Sequence, residues 1–215
     1  MAGVAVARID QIDEIDDGRC PFRPIRHHFG ITTFGVTAMT AHADGDRLIN
    51  EHDEAEPDSG EELYVVVSGH ASFELGGETH DAPAGTCVHV PPGIKRTAFA
   101  REAGTTLLAI GGGQQGKPYT PSGWELFAPL LPLFASGDYA EGADRAQELI
   151  AADPPYAGVF YNTACLESRA GRIEAAITHL RRAVELEPSL AELARGDDDL
   201  AALREHAAFA GIVGD

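Results

Sequence analysis

Residues 85–99 read GTCVHVPPGIKRTAF, and Arg96 stands there just past a Pro-Pro-Gly turn, at the head of a β-rich run. An arginine so placed has two chemistries open to it. On the outward face of a strand it is a solvated charge. On the inward face it is a buried fork of five N–H donors that has to meet a carboxylate or an anionic ligand. One residue of register separates the two, because side chains alternate across a strand with period 2. Glu62 is a carboxylate that Arg96 can pair with; the pair either closes on itself or leaves the fork free for a small anion. His52 precedes Glu62 in the same stretch, and imidazole and carboxylate are the side-chain types that ligate divalent transition metals. The ligand-binding candidates are Arg96, Glu62, His52 and Tyr64, and the metal-ligand candidates are His52 and Glu62.

Other residues carry less. Cys87 and His89 share a strand face at i, i+2, a placing more usual for a core or rim than for a ligand pair. His27 and His28 in RPIRHHFG read as a solvated turn before the first strand, with closure over the mouth of the β region as the alternative. GGGQQGKP (111–118) opens like a phosphate-binding loop, but Pro118 stands where Ser or Thr would hold magnesium, and no helix follows at once. The acidic run EHDEAEPDSGEE (51–62) lacks the spacing of a calcium loop and reads as solvated. No Ser-His-Asp or Cys-His arrangement follows from these spacings, so no catalytic residue is assigned.

The elements that must position these side chains come in two kinds. From Ile31 to Gly111 the apolar residues form short runs: ITTFGVTAM, ELYVVVSG, ASFELGG, TCVHVPPG, RTAFA and TTLLAIGG. They are rich in Val, Thr, Phe and Tyr and are cut by Gly and Pro, the pattern of an all-β sandwich or barrel. VVVSGHASFEL reads as a tight hairpin around Ser68, Gly69 and His70, and GTCVHVPPGIKRTAF as a second one. Beyond a Gly/Pro linker at 113–123, the chain turns to Ala, Leu and Glu at helical spacing. GDYAEGADRAQELIAADP (137–154) and GRIEAAITHLRRAVELEP (171–188) align without a gap and start 34 residues apart, a period that means helix pairs.

The second half resembles the tetratricopeptide repeat, and the unit from Ala157 to Leu190 carries the match. Phe160 stands at the bulky position of its first helix, Ala164 and Ala176 at small positions where the helices cross, and Gly171 at the turn; Leu180, Ala183 and Pro188 complete the second helix. Glu167 sits where the family favours an aromatic, and Pro129 and Pro132 interrupt the preceding unit. The tail ELARGDDDLAALREHAAFAGIV reads as an amphipathic cap, with Leu200 and Leu203 on one face and Asp197 to Asp199 at the helix start. The resemblance implies a docking face for a protein partner or a second copy; a plain helical hairpin is the alternative.

At 215 residues, 44 % hydrophobic and 23 % charged, the chain is long enough to bury a core, and it has no apolar run of the eighteen or so residues that span a bilayer. MAGVAVARIDQIDEIDDGR lacks the basic and apolar segments of a secretory leader. Cys20, Cys87 and Cys165 form no CxxC, which fits a reducing cytoplasm. A formal charge of −18, with Lys95 and Lys117 as the only lysines, argues against nucleic acid and against anionic membrane as partners.

Glu62 followed by six residues and Gly69, then Gly85 followed by five residues and Pro91-Pro92-Gly93, resemble the two motifs of the cupin superfamily. The resemblance covers about residues 40–112. It implies a small β-barrel, often paired as a homodimer, in which two histidines and a glutamate of the first motif and one histidine of the second hold a divalent metal. Here Arg96 falls on the last ligand position, Asn50 falls on one histidine position if Asn50 and His52 share a strand face, and an acidic insertion separates His52 from Glu62. A guanidinium in that corner would repel a dication and could take over its charge role beside Glu62.

The expected fold class is therefore α+β in two parts, an antiparallel β-barrel or jelly roll of cupin type followed by an α-helical hairpin repeat region. Its expected boundaries are an N-terminal arm at 1–29, the barrel at 30–112, the linker at 113–123 and the helical region with its cap at 124–215. The expected function is non-catalytic binding of a small, anionic molecule, with no cofactor and with a protein-interaction or homodimer contact through the helices. The alternative is a metal-dependent cupin enzyme, dioxygenase-like or isomerase-like, with a divalent transition metal on His52, Glu62 and further ligands that the sequence does not name.

Overall fold

The computed structural model of the chain describes residues 4–16, 18, 20–54, 60–111, 119 and 121–214. They fall into two compact units, Met1–Pro121 and Ser122–Asp215. Residues 112–118 of the loop-like motif, with Lys117, most of the linker at 113–123, and the centre of the acidic run lie outside the described residues.

The first unit is built from eight strands: β1 (Gly35–Thr40), β2 (Arg47–His52), β3 (Glu62–Ser68), β4 (His70–Leu75), β5 (Glu78–Pro83), β6 (Cys87–Val90), β7 (Arg96–Ala100) and β8 (Thr106–Gly111). They form two four-stranded antiparallel sheets of order β1-β8-β3-β6 and β2-β7-β4-β5. Among the described residues no ladder joins the two sheets into a closed barrel. The sheets face one another: the ring of Tyr64 on β3 lies 5.6 Å from that of Phe73 on β4, and both are buried. Period-2 alternation puts Tyr64, Val66, Phe73, Ala98 and Leu107 inside, while Leu63, Val67, Cys87 and His89 are exposed on the outer face of the first sheet. Residues before β1 pack on this unit through Ile12, Ile15 and Phe22, with Arg23 paired to Ala38 of β1. A short helix, α1 (Ile25–Phe29), carries His27, half-buried, and His28, exposed, beside β1.

Neither stretch expected to be a hairpin is one. β3 and β4 belong to different sheets, and so do β6 and β7, so Gly69 and Pro91-Pro92-Gly93 carry the chain from one sheet to the other instead of closing a ladder. Gly69 (φ 72°) is required at its crossing for a second reason. A Cβ there would stand 2.6 Å from Cα of Thr105, a fully buried residue whose hydroxyl accepts the His70 N–H and lies 2.8 Å from the Glu102 carbonyl. Among the described residues the one tight hairpin with a paired ladder is β4–β5, turned by Gly76-Gly77.

The second unit is helical: α2 (Gly123–Phe127), α3 (Leu131–Ser136), α4 (Tyr139–Ile150), α5 (Ala157–Arg169), α6 (Ile173–Leu186), α7 (Leu190–Gly196) and α8 (Ala207–Val213), with 3-10 turns at Ala128–Leu130 and Asp198–Leu203. Pro129 lies in the first 3-10 turn and Pro132 in the first turn of α3, which is why one long helix does not form there. The two aligned segments open alike. Gly137 and Gly171 are both left-handed, and the next N–H in each case, of Asp138 and Arg172, bonds back to the carbonyl of Leu133 or Glu167 at 3.0 and 2.8 Å. Ala164, Ala176, Leu180 and Ala183 are fully buried in one apolar cluster with Leu200, Leu203, Phe209 and Val213. Asp197 caps the second 3-10 turn by accepting the Asp199 N–H.

Helix α5 is covered nearly all round: Ala157, Val159, Phe160, Tyr161 and every residue from Thr163 to Ser168 are buried. Glu167, only 1 % exposed, survives in that position because each carboxylate oxygen has a partner. Gln147 Nε2 of α4 donates to Oε1 at 2.8 Å, and His179 Nδ1 of α6 lies 2.7 Å from Oε2. No helix among the described residues is long and apolar enough to cross a membrane.

Candidate functional site

Three strands bring the four sequence-selected side chains together. His52 ends β2 directly opposite Arg96, the first residue of β7, and Glu62 and Tyr64 lie two apart on β3 in the facing sheet. The register of β2 shifts on both sides of Ile49, and this irregularity sets the pairing of His52 with Arg96. Glu62 Oε2 is the hub. The Tyr64 hydroxyl donates to it in a very short hydrogen bond, His52 Nε2 lies 3.3 Å away, and Arg96 Nε lies 3.4 Å away. His52 Nδ1 is held at 2.7 Å by the main-chain carbonyl of Asn50, so it is the backbone of Asn50 that fixes the ring.

Arg96 faces inward, and it is the largest fully buried side chain among the described residues, 1 % exposed. None of Nε, Nη1 and Nη2 has a hydrogen-bond partner among the described residues; Glu62 neutralises the charge at ion-pair distance without satisfying the donors. Each buried donor left in that state costs about 1–3 kcal/mol, and more on a charged group. The rim of the cluster is wetter. The side chain of Glu62 is 19 % exposed and that of His52 35 %. Glu54, which sequence reasoning passed over, places Oε1 3.7 Å from His52 Nε2. It does so from a left-handed backbone (φ 50°), a conformation costing about 1–2 kcal/mol that no local pattern announces.

The electrostatics follow. Burial acts to lower the His52 pKa but is outweighed by the hydrogen bonds to Glu62 and the Asn50 carbonyl and by the Glu62 charge, so the imidazole stays protonated above its usual 6.5. Burial acts to raise Glu62, yet the hydrogen bonds from His52 and Tyr64 and the charges of His52 and Arg96 hold it below its usual 4.5. Burial first, then the Glu62 charge, drives the Tyr64 phenol far above its usual 10, leaving it a neutral donor.

The remaining candidates lie elsewhere. Cys87 and His89 are exposed, and His89 Nε2 lies 2.8 Å from Glu61. His27 and His28 are outside the group of converging donors, which among the described residues consists of His52, Glu54 and Glu62 with ligand atoms within 4.8 Å of one another.

Residues 49–110 match the family described as Cupin domain. No curated protein matches the chain. Solved structures with similar folds include a cupin protein from Bacteroides fragilis, at 20 % identity and TM-score 0.41, covering 55 % of this chain and 89 % of that one. KdgF from Halomonas sp. is similar at 16 % identity and TM-score 0.41, covering 50 % and 91 %. The nucleoside dehydratase Pac13 from Streptomyces is similar at 16 % identity and TM-score 0.38, covering 51 % and 82 %. The stretch matched by the Cupin domain family lies within the double-sheet unit.

Cupin domains often hold a metal, and the donors here can be tested against one. One imidazole and two carboxylates converge, and the bond from His52 Nδ1 to a carbonyl aims Nε2 at Glu62 as a metal-bound imidazole would be aimed. Against this, Glu62 Oε2 is already engaged by Tyr64 and His52, and Arg96 sets a permanent positive charge 3.4 Å from the same oxygen. The set does not fit a tightly held dication.

Proposed function

We propose that the double-sheet unit is a non-catalytic binding module for a small anionic molecule, anchored by Arg96 and framed by Glu62, His52 and Tyr64. One observation carries this reading: a guanidinium is held wholly inside the unit with Nη1 and Nη2 unpartnered among the described residues. Such a group is costly to keep and serves no packing role that a methionine could not serve, whereas an anion on the fork would satisfy it. The helical unit is the protein-facing part, a tetratricopeptide-like hairpin for a partner or a second copy. The matched glycine junctions 34 residues apart support the repeat. The covering of α5 moves any docking face to α4, α6 and α7, where Leu193 is 55 % exposed. The strong negative charge fits a cytoplasmic protein without nucleic-acid partners.

A second reading, a metal-dependent cupin enzyme of dioxygenase or isomerase type, is favoured by the convergence of His52, Glu54 and Glu62. Elemental analysis of protein purified without a metal-affinity tag or chelator separates the two. Folded protein without stoichiometric transition metal is the expected result; near-stoichiometric iron, manganese, nickel, copper or zinc would overturn the binding-module reading.

A further inference from the structure

We infer that the chain pairs with a second copy of itself by strand exchange, the arm Val4–Ala7 of each copy adding to the free edge of β6 in the other. The inference is independent of what the double-sheet unit binds. Val4 is 97 % exposed and Val6 90 %, on a stretch that lies outside any helix or strand. Its alternating valine and alanine suit a strand, with Val4 and Val6 on one face and Ala5 and Ala7 on the other. The two edges of the first sheet differ. At the β1 edge Arg23 pairs with Ala38, and Ile15 pairs with Phe22 beyond it. At the other edge, among the described residues, no strand pairs with the outer side of β6. An open edge is a template for one more strand. β6 is four residues long and ends at Pro91-Pro92, and the arm offers four residues to match it. The outer rows that the arm would extend are apolar: Leu63, 37 % exposed, beside Ile110 and His89, and Val65 beside Leu108 and Cys87.

Charge decides where two copies can meet and in which direction the arm runs. Copies of net charge −18 repel one another, so they must meet where charge is sparse. Residues 1–7 carry no charged side chain, and on the outer rows His89 is matched by Glu61 at 2.8 Å. Parallel addition sets Val4 beside Cys87, Val6 beside His89 and Arg8 level with Pro91. Glu61, one residue before the Glu62 that pairs with Val90, then lies across β6 from Arg8 on the same outer face. Both are exposed, and Arg8 holds Asp10 through Nε and Nη2 while Nη1 has no partner among the described residues. Antiparallel addition would carry Arg8 to the other end of β6, away from Glu61, so charge complementarity favours the parallel arrangement. The occupant is a second copy because the arm enters its own unit at the β1 edge, with β8 and β3 between β1 and β6. Three strand spacings make about 14 Å, which four extended residues only just cross. An arm that crossed its own sheet would have none of Val4–Ala7 left to lie along β6.

The test joins sedimentation and cross-linking of the full chain. The wild type is expected to sediment at the two-chain mass, and Val4→Asp/Val6→Asp is expected to weaken association at least tenfold with an unchanged circular dichroism spectrum. Under mild oxidation Val4→Cys is expected to form a disulfide from position 4 to Cys87 of the second copy, mapped by peptide mass and lost in Val4→Cys/Cys87→Ser; Cys20 and Cys165 are buried, whereas Cys87 is exposed. A wild type that sediments as a single chain would overturn the inference. A two-chain mass unmoved by the aspartates would do the same, since the copies would then meet elsewhere. A disulfide between position 4 and Cys87 within one chain would also overturn it, because the arm would then be covering its own β6.

Discussion

Replacing Arg96 by methionine is expected to leave the unliganded double-sheet unit as stable as before, or more so. Methionine keeps the unbranched stem and the volume along β7 while removing a wholly buried charge whose Nε, Nη1 and Nη2 lack hydrogen-bond partners. Relief of those donors, at about 1–3 kcal/mol each, is set against the loss of one ion pair at 3.4 Å to a carboxylate that keeps its bonds to Tyr64 and His52. Replacing buried pairs by apolar groups is commonly neutral or stabilising by about 1–4 kcal/mol, so a gain of about 0–2 kcal/mol is expected. The reciprocal change, Glu62→Gln, leaves Arg96 without its compensating charge and should cost about 2–4 kcal/mol, a little below the range for a fully buried pair because Glu62 is partly wet. Urea unfolding of the full chain by circular dichroism reads both. With a slope of about 1.5 kcal/mol/M, Arg96→Met moves the β transition up by as much as about 1 M and Glu62→Gln moves it down by more. Trp124, the only tryptophan, lies in α2 of the helical unit, so its fluorescence midpoint is an internal control. A fall of 1 M or more for Arg96→Met would show that the fork is satisfied inside the protein and would refute the reasoning.

The pH dependence of the same transition has a worked sign. The raised His52 pKa contributes stability in full below about 6.5, lost as pH rises through the folded value, and the lowered Glu62 pKa contributes in full above about 4.5, lost as pH falls through its folded value. The urea midpoint should therefore peak between those limits, and His52→Gln should flatten the alkaline limb; an unchanged limb would contradict the His52–Glu62 coupling. In the helical unit, Glu167→Ala removes the shared acceptor of Gln147, which is exposed, and of His179, which is half-buried, and should lower the stability read at Trp124 by about 1–3 kcal/mol, with Glu167→Gln nearer 1; a neutral alanine variant would mean the carboxylate is dispensable.

Much of the architecture was legible because it follows from short-range pattern. The β-rich runs became strands, the paired glycines at 137 and 171 became equivalent helix junctions, and Pro129 and Pro132 broke the helix they interrupt. Strand pairing was not legible. Gly69 and Pro91-Pro92-Gly93 announce that the chain turns, but whether a turn closes a ladder or crosses to another sheet depends on residues far away in sequence. The site divides in the same way. Arg96, Glu62, His52 and Tyr64 could be picked out by residue type and motif position. The part played by Glu54 depends on one left-handed residue, and that of Asn50 on a main-chain carbonyl, and neither leaves a mark in side-chain pattern. Glu167 showed in the sequence only as a departure; its partners come from helices on either side of α5.

The crossings have a kinetic consequence. Because β1 pairs with β8 and β2 with β7, the ladders that flank Arg96 and Glu62 join opposite ends of the unit, as in the contact between Thr40 and Thr106, 66 residues apart. Loops of that length must close before any of these contacts is rewarded. Folding of such non-local sheets runs on the order of milliseconds to seconds. The guanidinium is therefore sealed inside only at the end of assembly, and until then Arg96 and Glu62 remain hydrated on strands that have not yet met.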